Sequence, residues 1–236
     1  MIKKILSSFL VSSVLLFLGV TASLAERPTI AIGGTVSYGG YVSSGQETEG
    51  ATNVEVSHKE TEAMEIGYTS LFAEITVADR VTVGLDYMAD SVTTDTSTRT
   101  DHVGPGAAGS AKVTDGNNAG TSSVEAEFSD MITGYVEVRL FNGFYAKYGA
   151  MEIDIQTKES LHTDSSYPNI TLKGNSYGFG FKNTWENGVF VKSETMLHDW
   201  NPINITASGC TDTCNNTKVT GSLDGAVATF KIGKQF

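Results

Sequence analysis

The residues able to do chemistry in this chain are few and scattered. Cys210 and Cys214 are its two cysteines. In an exported chain a Cys-Thr-Asp-Thr-Cys spacing predicts one small disulfide, and no neighbouring His or Cys completes a tetrahedral metal set. His58, His102, His162 and His198 are spread along the sequence. Of these, His198, beside Asp199 and near Glu194, is the candidate acid/base group. It lacks a serine partner fixed by spacing, and a solvated polar rim is the preferred reading. Gly104-Pro105-Gly106-Ala107-Ala108-Gly109 matches G-x-G-x-x-G literally. It has neither the preceding strand nor the following helix through which that motif holds a pyrophosphate. No catalytic residue, cofactor or metal ion is expected.

What must position the remaining residues is a β architecture. Across 236 residues there are 25 glycines and a Ser/Thr-rich background that favours strands and turns. A formal net charge of −11 with no clustered basic patch argues against nucleic acid as a partner. At the N-terminus Lys3 and Lys4 precede an apolar run from Ile5 to Val20 and then Ser23-Leu24-Ala25. That is the order of a signal peptide, which assigns residues 1–25 to export, with cleavage before Glu26, and residues 26–236 to one domain. No later segment is apolar enough to span a bilayer as a helix, so any membrane role must come from strands.

Strand side chains alternate between two faces, and the sequence follows that period repeatedly. Ile30, Ile32, Val36, Tyr38 and Val42 oppose Ala31, Gly33, Thr35, Ser37 and Gly39. Met64, Ile66 and Tyr68 share a parity that Ala73, Ile75 and Val77 reverse, which predicts a bulge near Thr69 to Phe72. Val81, Val83, Leu85 and Tyr87 oppose Asp86. Val124, Ala126, Phe128, Ile132, Val136, Val138 and Leu140 oppose Glu137 and Arg139, with Asp130 interrupting the apolar side. After the Asn142-Gly143 turn, Phe144, Ala146 and Tyr148 oppose Lys147. Met151, Ile153 and Ile155 then change parity, predicting a second bulge near Gly149. Tyr177, Phe179 and Phe181 oppose Lys182. Beyond the Asn187-Gly188 turn, Val189, Val191, Thr195 and Leu197 oppose Lys192, Glu194, Met196 and His198. The chain closes with Ala228, Phe230, Ile232 and Phe236 opposite Lys231. Between strands, Ser43 to Thr61, Ser91 to Ser123, Thr157 to Lys173 and Asp199 to Thr217 read as long polar loops, whereas Ala78-Asp79-Arg80 and the two Asn-Gly pairs are short turns.

This alternation of long and short connections, with the signal peptide and a final strand ending in Phe236, resembles the small bacterial outer-membrane β-barrel proteins of the OmpA-like, OmpX-like and opacity-protein-like group. The resemblance implies an all-β, antiparallel up-and-down transmembrane barrel of about eight strands, with long extracellular loops and short periplasmic turns. It implies that Phe230, Ile232 and Phe236 belong to an assembly signal read by the barrel-assembly machinery. It also implies a monomer in outer-membrane lipid. In a barrel this narrow, side chains fill the interior. Glu65, Asp86, Glu137, Arg139, Lys147, Lys182, Lys192, Glu194 and Lys231 are then expected to satisfy one another in the lumen. The functional expectation is a structural or surface-interaction role through acidic loops. A small porin-like channel is the alternative; a barrel enzyme and a soluble periplasmic β-protein rank lower. A hairpin hidden in Ser91 to Ser123 would widen the barrel and favour the porin.

Overall fold

The computed structural model describes residues 28–51, 54–77, 80–102, 119–161, 166–208 and 218–236. The expected signal peptide, the Gly104–Gly109 stretch, His162, Cys210 and Cys214 lie outside them, as do the side chains of His58 and His102. Eleven strands follow one another: β1 (Thr29–Ala51), β2 (Val54–Val77), β3 (Val81–Tyr87), β4 (Val92–Thr93), β5 (Ser97–His102), β6 (Ala119–Phe141), β7 (Phe144–Ser160), β8 (Ile170–Thr184), β9 (Val189–Trp200), β10 (Ile203–Thr206) and β11 (Lys218–Gln235). All pairings in the sheet are antiparallel.

The sheet closes on itself as eight staves. The first four are β1, β2, the interrupted line of β3, β4 and β5, and β6. The ring continues through β7, β8, the line of β9 and β10, and β11, which returns to β1. The segment after Ser91 therefore adds strand to an existing stave, since β4 and β5 pair with β6 as β3 does, and the ring is not widened. Closure runs from Ala31↔Gln235 to Thr48↔Lys218. From the turns up to Leu71↔Tyr87 β2 is paired on both sides, the condition a lipid environment imposes; above Leu71, among the described residues, it pairs with β1 alone.

The start of β1, the end of β11 and the two Asn-Gly turns share one end. Asn142 and Gly143 take φ of 45° and 85°, the two positive values that a two-residue hairpin requires. The second connection is longer than its Asn-Gly pair suggests. Gly188 N–H donates to Trp185 O at 2.9 Å and Trp185 N–H to Val189 O at 2.8 Å, so three residues turn the chain and only Gly188, at 81°, needs the left-handed region.

From this end the wall presents an apolar exterior. Ile32, Val36, Leu71, Leu85, Val138, Leu140, Phe179, Leu197, Phe230 and Ile232 all point outward and exposed. Tyr38, Tyr87, Tyr148 and Tyr177 border them above, and Phe141, Phe144, Phe181, Trp185 and Phe236 below. From Ile30 to Tyr38 is nine residues, within the roughly 9–11 that a tilted strand needs to cross a bilayer. β1, β2 and β6 contain 23, 24 and 23 residues, more than twice that need, so the wall continues well beyond the belt. Much of Ser43 to Thr61 is consequently a strand hairpin, with β1 and β2 paired as far as Ala51↔Val54.

Two expected bulges are absent. The β1–β2 ladder is unbroken from Thr29↔Thr76 to Ala51↔Val54, and β7–β8 from Phe144↔Phe181 to Ile155↔Ile170. Met64, Ile66, Tyr68, Met151, Ile153 and Ile155 keep the parity of their strands and point inward. The register does shift between Ser129 and Ile132, where Asp130 adopts φ 54°, and between Arg139 and Phe141. At the first of these, Ala126 and Phe128 above and Met131 and Tyr135 below are all turned to the interior.

Candidate functional site

Inside the belt the lumen holds a buried charge network. Lys192 of β9, fully buried, donates to Glu74 Oε1 of β2 at 2.6 Å and to Glu137 Oε2 of β6 at 2.7 Å. Those partners stand three staves away in either direction around the ring. Lys231 of β11 reaches Asp86 of β3 at 2.8 Å, again three staves off, and Lys147 of β7 reaches Glu194 of β9 at 2.8 Å. Tyr135 donates to Glu74 and Tyr145 to Glu194, each at 2.7 Å. The Lys147 ammonium also sits 3.9 Å from the centre of the Tyr135 ring. Three lysines thus face four carboxylates across the bore. Each member has an ionic partner, which offsets the cost of burying charge in a wall of low dielectric, while Glu74 Oε2 and Glu137 Oε1 have no hydrogen-bond partner of their own among the described residues.

Close packing makes these reaches possible. A Cβ on Gly84 would lie 2.3 Å from the Tyr135 ring, so glycine is the residue that lets this tyrosine lie flat on β3 and direct its hydroxyl at Glu74. Below the network Ala31, Phe72 and Phe190 form a small apolar cluster. Above it the bore is filled by Tyr41, Met88, Met131, Met151, Ile153, Ile155, Leu172, Trp200, Leu223 and Val227.

Of the nine side chains expected in the lumen, Asp86, Glu137, Lys147, Lys192, Glu194 and Lys231 meet there. Arg139 and Lys182 lie lower, lining a cavity of about 370 Å³ at the end that bears the turns. Glu65 requires correction: it is exposed on the outer face, where Tyr38 donates to its carboxylate. The β2 ladder keeps one register throughout, and its odd-numbered residues from Lys59 to Ala73 are exposed. Glu74, Tyr135 and Tyr145 belong to the network without having been singled out; Glu74 has the inward parity of its strand and was detectable from it.

His198 and Asp199 fall on opposite sides of the wall. The His198 ring is buried, 3.1 Å through Nδ1 from the Tyr41 hydroxyl and edge-on to Trp200, rather than on a solvated rim. Asp199 is exposed, directly across from Asp224. Phe230, Ile232 and Phe236 all face outward. Phe236 N–H donates to Ile30 O at 2.8 Å, and Lys234 lies 5.7 Å from the Phe236 ring.

Above the belt the outer face is polar and tied by ion pairs. Lys158 meets Glu127 at 2.7 Å and Lys173 meets Glu152 at 3.3 Å, while Thr171 donates to Asp154 at 2.6 Å. The hydrogen bond from Lys158 holds the Glu127 carboxyl below its ordinary range. Tyr167 reaches across to Glu47 at 2.8 Å, so the extension is cross-tied rather than a set of separate loops.

A closed antiparallel ring, apolar where it meets lipid and charged where it encloses its bore, defines an outer-membrane β-barrel. No family model and no curated sequence matches the chain. Among solved structures it is similar to the outer membrane protein OprG from Pseudomonas aeruginosa, at 14% identity over 86% of this chain and 96% of that one, with a TM-score of 0.44. It is similar also to the outer membrane protease OmpT from Escherichia coli, at 10% identity over 92% and 99%, TM-score 0.48. A third is Ail, the attachment invasion locus protein of Yersinia pestis, at 10% over 84% and 98%, TM-score 0.28. The class assignment rests on the barrel's own geometry.

Proposed function

We propose that this chain is a non-conducting, non-enzymatic outer-membrane barrel that works as a monomer through the long wall it raises above the bilayer. The observation that carries this reading is the cross-lumen tie from Lys192 to Glu74 and Glu137, which spans the bore from three sides with a buried ion triad. An apolar plug lies directly above it. A path for hydrated solutes would have to break both. The raised wall carries Glu47, Glu60, Glu62, Glu125, Glu127 and Glu152, which suits a partner or neighbouring envelope surface able to meet carboxylates. Engagement of His198 by Tyr41, with Asp199 on the other side of the sheet, supports the non-enzymatic part. A ring closed through the belt supports the monomer, and the outward Phe230, Ile232 and Phe236 suit recognition by assembly machinery before closure.

Planar-bilayer recording of the refolded mature chain tests the proposal. The expected trace is a flat baseline at low protein concentration. Steady single-channel steps would overturn it in favour of the porin reading.

A further inference from the structure

The cavity at the turn-bearing end is built for an anion. Its lining includes Arg80, Arg139 and Lys182, with Asn142 and Thr184 beside them and Glu137 and Tyr145 at its inner limit. In a chain of net charge −11, three cations meeting at one mouth is a local reversal of sign. Arg80 and Arg139 occupy the ladder position next to Val81↔Val138, and Arg139 N–H donates to Arg80 O at 2.7 Å. Like charges placed directly opposite across a strand pair repel. Among the described residues neither guanidinium has an ion-pair partner. Lys182 has only the Gln235 amide oxygen at 3.3 Å and the face of Phe190, 4.1 Å from the ring centre. The inner groups are largely committed: Glu137 is tied through Oε2 to Lys192, its Oε1 having no hydrogen-bond partner among the described residues, Tyr145 is tied to Glu194, and Thr82 to Thr76.

We infer that this mouth is a binding site for a phosphoryl anion presented from the periplasmic side. A guanidinium fork matches phosphate oxygens two at a time, and an ammonium adds a point charge. A phosphate monoester carries nearly two negative charges at neutral pH, which relieves the Arg80 and Arg139 repulsion more fully than a single carboxylate does. The cavity is about 370 Å³, so the ligand is small: a free phosphate compound or one lipid headgroup. Asn142 and Thr184 are placed to contact its uncharged part.

Calorimetric titration of the refolded barrel tests this, using pyrophosphate and inorganic phosphate in a maltoside detergent and Tris-chloride buffer. Saturable binding is expected, weakened at least tenfold in the double variant Arg80→Gln/Arg139→Gln. It should be unchanged in Lys173→Gln, a substitution at the opposite end of the barrel. Heat-modifiable gel mobility confirms that each variant is folded. Repeating the titration in nanodiscs of phosphatidylcholine alone and of phosphatidylcholine with phosphatidylglycerol separates the sources. Suppression by the anionic lipid identifies a headgroup, and equal binding in both identifies a soluble phosphate. Absence of saturable binding, or binding unaltered in the double variant, would overturn the inference.

Discussion

The lower and upper parts of this barrel are inside-out relative to each other. Within the belt Val36, Leu85 and Phe230 face outward while Lys192, Glu74 and Glu137 are buried. A few residues higher, Met64, Met131, Met151 and Leu172 face inward while Glu127, Glu152 and Lys173 face out. β1, β2 and β7 run unbroken through the change, so the backbone does not cause it. Solvent does: below the upper tyrosines the wall meets lipid, and above them it meets water, where an apolar core is favourable in the ordinary way.

The two interiors should respond differently to truncation. Lys192→Met leaves Glu74 and Glu137 buried without their cation, a loss of about 3–5 kcal/mol by analogy with other broken buried pairs, measurable as a lower urea midpoint in detergent. A cost below about 1 kcal/mol would mean that water already enters the network. Met151→Ala in the upper plug removes packing alone and is expected to cost about 2–3 kcal/mol, at the low end of Met→Ala truncations, because flexible neighbouring methionines can close the gap. If it exceeds the cost of Lys192→Met, the contrast between the halves fails. The smallest effect belongs to the outer face. Lys158 holds Glu127 below its ordinary carboxyl pKa, so this group stabilises the fold above its unfolded pKa, and the contribution is lost as pH falls through the lower folded value. Glu127→Gln should flatten that acid-side slope slightly and leave neutral-pH unfolding almost unmoved.

This inversion also explains what could be read from the sequence. Where a strand stays in the belt, as in Val189 to Leu197 or Ala228 to Phe236, alternation gives the correct inward lysines and glutamates. Where β2 and β7 leave the membrane, the rule that apolar residues face outward reverses while the register does not. Met64, Ile66 and Tyr68 then look like outward residues displaced by a bulge, and so do Met151, Ile153 and Ile155. Glu65 was carried into the lumen by that same inference. Asp130, a charge in the middle of an apolar face, did mark a true irregularity of the ladder. The eight staves were legible from the turns and periodicity. The arginine mouth was not, because Arg80 meets Arg139 only through the β3–β6 pairing, and Lys182 reaches them only through the curvature of the wall across β7 and β8.

Closure has a kinetic side as well. The β1–β11 seam joins partners roughly 170 to 200 positions apart in the chain, and contacts of such long range make folding slow. The seam cannot form until the last residues have been synthesised. Lys192 and Lys231 reach Glu74 and Asp86 across this seam, so they find these partners only in the finished ring. Until then the outward row of aliphatic and aromatic side chains has no lipid to face and these two lysines lack those carboxylates. This barrel must therefore travel to its membrane as an unfolded chain, under protection against aggregation, and acquire its interior and its exterior in the same event.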